Sequence, residues 1–291
     1  MKKFNFYSPV TLKEALELLS EYKDRAAVIA GGTDVIVALK EQQIQPECLV
    51  NIKKLKELRY CRQDNGKVRI GALSTFTDLE NDPYIKNSVK SLHYCCCHMG
   101  SPQIRNMATF GGNLVNASPA ADSTTTLLSL DASVVLESKR GRREMKLADF
   151  YADCQANGQD TRIASDELMT EIYFDAPTRD IATAAYKLGK RKALAIVVVG
   201  LSVMIERDSS NRIKRALVVL GALTKVPLRI KVIEEYLSGK PLTADTFQPC
   251  GQMLSKAIQG FMRAGRMHKA LSSECIAERT FGKILSEFGS R

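Results

Sequence analysis

Apolar residues recur along this chain with more than one period, and the period shows which element each stretch forms. Leu12, Ala15, Leu16 and Leu19 fall three or four apart, which predicts an amphipathic helix over 11–22. Thr11 and Glu14 open it as a capping box: the threonine oxygen accepts from an amide three residues on, and the glutamate reaches back to the Thr11 amide. The apolar run 26–30 (AAVIA) predicts a short buried strand that runs into Gly31-Gly32-Thr33-Asp34. A helix over 35–42 and a second strand over 48–52 complete a small β-α-β-like unit.

Beyond residue 58 the pattern changes. Residues 60–72 read as a hairpin around Asp64-Asn65-Gly66, where Asn and Gly suit the positive φ of a tight turn. Helical spacing returns over 76–80 and 84–99. Residues 127–137 and 143–147 flank a turn at 139–142, which predicts another hairpin, and 167–174 alternates as a strand before Ala176-Pro177. Then 184–188, 193–206 and 212–223 read as a three-stranded antiparallel meander, with a turn at 208–211. Helices over 230–237, 243–259 and 274–288 follow, with Ser273 as N-cap of the last and Gly289 as its stop. The expected class is α+β in three pieces, 1–57, 58–177 and 178–291.

Composition changes this picture little. The chain has 291 residues, 45% hydrophobic and 25% charged, an ordinary globular balance. Its longest apolar run, 193–204, is short of the roughly 18 residues a membrane span needs. The start, MKKFNFYSPV, has no apolar stretch behind its lysines, so eight cysteines read as those of a reduced, cytoplasmic protein. The net charge of +10 is concentrated at 139–146 (KRGRREMK) and 187–192 (KLGKRK). Both read as a solvated hairpin and a solvated strand end. A basic nucleic-acid-binding module is the alternative from another class, but neither cluster carries interleaved aromatics or a recognition signature.

The stretch 108–123, ATFGGNLVNASPAADS, is small and polar in the middle of an apolar chain. Gly111-Gly112 gives backbone access, Thr109 and Ser118 offer hydroxyls, Asn113 and Asn116 amides, and Asp122 a carboxylate. Gly31-Gly32 offers similar access, and amides opening the following helix suit an anion. A plain strand-to-helix turn explains that first segment equally well. It matches neither G-x-G-x-x-G nor a P-loop. Two glycine-rich turns together suit a pyrophosphate gripped from both sides, and so a dinucleotide cofactor. A long glycine-rich surface loop is the other reading of 108–123.

The pair AGGTD (30–34) and ATFGGNLVNASPAADS resembles the FAD-binding subunits of molybdenum hydroxylases, among them xanthine, nicotinate and carbon monoxide dehydrogenases. The resemblance extends to IGALSTFTDLE (70–80), SPQIRN (101–106), DELMTEI (166–172) and AYKLGKRKALAI (185–196). It implies a two-subdomain FAD-binding fold of the vanillyl-alcohol oxidase type, followed by a C-terminal α+β domain with an antiparallel sheet and helices. By position it implies that Ile29, Ala30, Gly31, Gly32, Thr33, Asp34 and Val35 wrap the FAD pyrophosphate. Thr109, Gly111, Gly112 and Asn113 would complete that grip, with Ser118 and Asp122 on the cofactor's polar edges. Met99 falls where some relatives place an aromatic residue, and Leu168 or Met169 would supply an apolar wall. Lys187 falls at a flavin-contacting lysine, where a cation would raise the flavin's potential. The implied function is an electron-transfer oxidoreductase subunit in a heteromeric complex. A large partner would hold the molybdenum cofactor, a small one two [2Fe–2S] clusters, and the acceptor would be NAD⁺ or NADP⁺. A standalone flavin oxidoreductase of the same fold is the alternative.

Cys95-Cys96-Cys97 between His93 and His98 has the residue types of a metal site but not the spacing, since adjacent cysteines on a helix point about 100° apart. They are expected to be small buried apolar residues, and no metal is expected in this chain. The three histidines, 93, 98 and 268, sit in no hydrolase motif, as expected where a cofactor carries the chemistry.

Overall fold

The computed structural model describes residues 3–153, 161–191, 194–259 and 268–290. The chain divides into two compact units, each assembled from separate stretches of sequence. Unit 1 comprises residues 1–79, 101–117 and 132–174; unit 2 comprises 80–100, 118–131 and 175–291.

Unit 1 contains two sheets. In the first, β1 (Asn5–Tyr7) and β2 (Ala26–Ile29) pair in parallel on either side of β3 (Cys48–Asn51). Helix α1 (Leu12–Tyr22) buries Ala15, Leu16 and Leu19 in a core shared with Cys48, Val50, Ile52, Leu55 and Leu168. Thr11 caps α1 by accepting from the Glu14 amide, as the capping box predicts. The return contact differs, because Glu14 accepts from the Val10 amide at 2.9 Å and not from Thr11. Helix α2 (Val35–Lys40) connects β2 to β3.

The second sheet has the order β4-β5-β8-β6-β7, from β4 (Cys61–Asp64), β5 (Lys67–Gly71), β6 (Ser133–Ser138), β7 (Gly141–Lys146) and β8 (Leu168–Asp175). Asp64 pairs with Lys67, leaving Asn65 and Gly66 as a two-residue turn with φ of 49° and 72°, so the hairpin read from the sequence is present. Helices α3 (Phe76–Asn81), α6 (Pro102–Met107), α7 (Phe110–Asn116) and α9 (Leu147–Phe150) follow strands or connect them. Ser101 caps α6 by accepting from the Ile104 amide.

Unit 2 is organised around an antiparallel sheet of order β12-β11-β10-β9, built from β9 (Ile181–Gly189), β10 (Val197–Arg207), β11 (Ile213–Gly221) and β12 (Leu228–Arg229). The expected meander is therefore present, extended by β12; its predicted residue Ala193 lies outside the described residues. Strand alternation divides its side chains between two faces. Ala182, Ala184, Leu201, Val203 and Ile205 pack with α10 (Lys231–Leu237), α11 (Ala244–Phe247), α12 (Cys250–Gln259) and α13 (His268–Gly289). The opposite face is covered by α5 (Lys90–His98) and α8 (Asp122–Ser129), with α4 (Pro83–Ser88) leading into α5. Buried polar contacts fix that layer: Ser129 Oγ lies 2.7 Å from Ser202 Oγ, and the Ser91 amide donates to Thr183 Oγ1.

Several expectations require correction. The helix over 84–99 is two helices, because Val89 leaves helical geometry at φ −124°, ψ 67°. Residues 122–129 form α8, and the strand predicted over 127–137 starts only at Ser133; burial of Thr124, Thr125, Thr126 and Leu127 against β10 and β11 favours the helix there. The helix over 243–259 breaks before Cys250, at Pro249, which has no amide proton. Ser273 is not an N-cap, because α13 begins at His268 and Ser273 is buried inside it, donating to Ala270 O.

Candidate functional site

One group of the predicted residues lies in unit 1, where β2 ends. After Ile29, whose carbonyl accepts from the Ile52 amide, the chain leaves the sheet through Ala30 and Gly31. Gly32 has φ of +79°, a conformation open to glycine at little cost, and it turns the chain into α2. Between Gly31 and Val35 no amide donates to another protein atom among the described residues. Five successive donors without protein acceptors have the chemistry to hold an anion without a charged side chain. The Thr33 hydroxyl is not part of that set, since it donates to Asp34 Oδ2 at 3.0 Å.

The second glycine segment is not a loop. Residues 110–116 form α7, and the physical reasons are visible in its first turn. Thr109 is the N-cap, its Oγ1 accepting from the Gly112 amide at 3.2 Å. Phe110 and Leu114 are buried, with Phe110 stacked on Phe76 at 4.4 Å. Backbone bonds from Phe110 to Ser74 and from Gly111 to Ala72 dock the helix start onto the chain after β5. A Cβ at Gly111 would lie 2.6 Å from the Ala72 Cβ, so this glycine is required by chain packing. Gly112 is exposed, and a Cβ there would meet only Thr109 Oγ1. Of the two glycines, Gly112 alone keeps an outer surface clear.

The two segments touch. A Cβ on Gly31 would overlap the Met107 carbonyl, and Asn116 Nδ2 donates to Asp34 Oδ1 at 3.3 Å. The glycines therefore serve different ends: Gly31 and Gly111 let backbones pack, Gly32 supplies a positive-φ turn, and Gly112 leaves an exposed surface clear. A run of amides without protein acceptors suits the diphosphate of a dinucleotide. Leu168 and Met169 are both buried in β8; Leu168 shares the α1 core, against which Ala30 packs. Asn113 is half-buried on α7, and Val35 opens α2.

The remaining predicted residues are in unit 2. Lys187 on β9 and Asp122 at the start of α8 form an ion pair of 2.6 Å, with 11% and 15% of their side chains exposed. Lys187 Nζ also donates to the Ala195 carbonyl at 3.3 Å, and its amide donates to Tyr94 Oη. Both residues line a cavity of about 20 Å³ with Tyr94, Cys95, His98, Thr126 and Ser202, a volume that accommodates one water. Burial pushes the Asp122 carboxyl above its usual range, and the Lys187 ammonium offsets only part of that effect. Ser118 Oγ accepts from the Ala120 amide, and Met99 follows α5 half-buried. The sequence reading did not single out Tyr94 or Tyr186. Their rings lie 6.0 Å apart; Tyr94 Oη accepts from the Lys187 amide, and Tyr186 directly precedes Lys187 on β9. Cys95 and Cys96 are buried, and burial raises the Cys95 thiol; Cys97 lies against His93. Cys154 lies outside the described residues, as does Lys192 of the second basic cluster. No helix among the described residues is long and apolar enough to cross a membrane.

Residues 2–177 match the family described as the FAD-binding domain in molybdopterin dehydrogenase. The chain belongs to that family. Residues 184–286 match the carbon monoxide dehydrogenase flavoprotein C-terminal domain. The chain is 41% identical to the nicotinate dehydrogenase FAD-subunit of Eubacterium barkeri, over 99% of this chain and 98% of that one. It is 31% identical to the glyceraldehyde dehydrogenase medium chain of Sulfolobus acidocaldarius, covering 88% of each. Among solved structures it is similar to carbon monoxide dehydrogenase from Hydrogenophaga pseudoflava, with a TM-score of 0.86, 26% identity and 98% of both chains covered. The protein is thus an FAD-binding medium subunit of the molybdenum hydroxylase type, an oxidoreductase subunit whose cofactor is FAD.

Proposed function

We propose that this subunit takes electrons from the [2Fe–2S] clusters of a small partner and passes them, through its FAD, to NAD⁺ or NADP⁺. In this reading a large partner holds the molybdenum cofactor and oxidises the substrate, and the complex works in the cytoplasm. Bound FAD supplies the ability to accept electrons singly and release them as a pair. The residues of this chain supply binding, orientation and charge.

The observation that carries the reading is the run of amides from Gly31 to Val35 with no protein acceptor among the described residues. These amides, with Ile29 and Ala30 leading into them, would hold the pyrophosphate. Thr109, Gly111, Gly112 and Asn113 would close the second side, Gly112 by its open surface and Thr109 and Gly111 by holding α7 in place. Leu168 and Met169 would stiffen the apolar wall, and Met99 would lie near the ring system. Ser118, Asp122 and Lys187 would meet the polar edges. The division 1–57, 58–177 and 178–291 would assign FAD binding to the first two pieces.

Purification with co-expressed partner genes tests this directly. The expected product is a yellow complex with one FAD per chain, whose dithionite-reduced flavin is reoxidised by NAD⁺ or NADP⁺. A complex that is reoxidised by neither nucleotide removes the acceptor assignment. A chain that stays colourless after FAD addition removes the site.

A further inference from the structure

Asp122 and Lys187 were each expected to meet the flavin, yet in the structure they meet each other. The 2.6 Å contact is a charge-assisted hydrogen bond between two side chains largely withdrawn from water. Two of the three donors on the Lys187 ammonium are taken, by Asp122 and by the Ala195 carbonyl, which leaves one for a ligand. Around the pair, the cavity walls are formed by Tyr94, Cys95, Thr125, Thr126, Ser202 and His98. Apart from His98, which is exposed, none of these side chains carries charge near neutral pH. Asp122 is therefore the one carboxylate lining this cavity, and the pair together is neutral.

This arrangement changes what Lys187 presents. An isolated ammonium beside a flavin stabilises the negative charge of the reduced ring. With a carboxylate 2.6 Å away it becomes one end of a dipole, whose field falls off faster with distance than that of a lone charge. Low local dielectric strengthens both contributions, so removing either one has a large effect. We propose that Asp122 is a positioning and charge-setting residue for electron transfer. It fixes the Lys187 ammonium and offsets its charge, so the subunit's flavin keeps a lower potential than the lysine alone would impose. The proposal rests on the reading of Lys187 as a flavin contact.

The test is a dye-equilibrated reductive titration of the FAD-loaded complex, reading the flavin midpoint potential. With Asp122 ionised and Lys187 protonated, the net charge of the pair is zero in the wild type, +1 in Asp122→Asn, −1 in Lys187→Met and zero again in the double variant. The titrations are run over a range of pH, because Lys187→Met removes the ammonium that offsets burial and favours protonation of the Asp122 carboxyl at low pH. The expected order is Asp122→Asn highest, Lys187→Met lowest, and the double variant close to wild type. Asp122→Glu, which keeps the carboxylate, is expected to stay at the wild-type potential. If Lys187→Met lowers the potential and Asp122→Asn leaves it unchanged, the charge-setting role of Asp122 falls and the flavin contact of Lys187 stands. If Lys187→Met does not move the potential, the flavin contact itself falls, and this proposal with it. Asp122→Asn leaves a buried ammonium uncompensated. Should it fail to fold, the double variant is compared with Lys187→Met at the alkaline end of the pH range, where the carboxyl is ionised, and equal potentials there overturn the proposal.

Discussion

Asn116 donates to Asp34 across 3.3 Å, joining two segments 82 residues apart. The bond is at the surface, yet it ties the helix that carries Gly112 to the turn that presents five amides. With the packing of Gly31 on the Met107 backbone it makes one cradle out of two motifs. Asn116→Ala is expected to weaken FAD binding by roughly 3- to 10-fold, the size of an exposed hydrogen bond, with little change in melting temperature. Isothermal titration of the flavin-free protein with FAD measures it, and unchanged affinity would detach the cradle from this contact.

Gly31→Ala should be more damaging than its size suggests. The new methyl group would overlap the Met107 carbonyl, so one of two backbones has to move. A loss of about 1–3 kcal/mol in stability is expected, together with loss of co-purifying flavin. Denaturant unfolding and the absorbance near 450 nm report the two effects.

Gly112 is expected to behave in the opposite way. Gly112→Val leaves the packing of α7 intact apart from the Thr109 cap and covers the open surface, so a folded but colourless protein is expected. Thr109→Ala is the control, since it removes the cap, at about 1 kcal/mol, without adding bulk. It should retain flavin. If both variants are equally colourless, the cap and not the open surface is what FAD requires.

Acid stability should depend on Glu167. Burial by itself would raise this carboxyl, but the Arg143 guanidinium, bonded through Nε and an Nη at 2.6 and 2.7 Å, and the Ala164 amide outweigh it and hold it below the usual range. A depressed carboxyl contributes stability above its unfolded value of about 4.5, and that stability is lost as pH falls through the lower folded value. Glu167→Gln should lower the melting temperature by roughly 3–8 °C at pH 7 and flatten its fall below about pH 4.5. Melting curves at pH 7, 5 and 3.5 test this, and an unaltered acid limb would assign the loss to other carboxylates.

Much of the fold was legible because its signals are local. Asn65-Gly66 demands a tight turn, Thr11 and Glu14 mark a helix start, and the alternation of 167–174 sets a strand. What stayed hidden depends on distant partners. The helix at 110–116 runs through two glycines because Ala72, Ser74 and Phe76 receive it, and nothing within 108–123 announces that. Ser273 has the right chemistry for a cap, but α13 starts five residues earlier. At the site, the residue types were readable and the roles were not: Thr33 and Thr109 look like ligand donors, yet one serves Asp34 and the other caps α7. Likewise no sequence pattern shows that Asp122 and Lys187, 65 residues apart, bond to each other.

Unit 2 owns two stretches from the middle of the chain. Leu92, Cys95 and Cys96 on α5, and Thr124 to Leu127 on α8, are buried on the face of a sheet whose strands all come after residue 180. Cutting the gene at the boundary between the two family matches would therefore not yield two independent modules. The front fragment would carry helices without their sheet, and the rear fragment a sheet with one face stripped. Reconstitution from separately expressed halves would have to re-form that layer, which makes split-protein complementation a readout of the α5–α8 face.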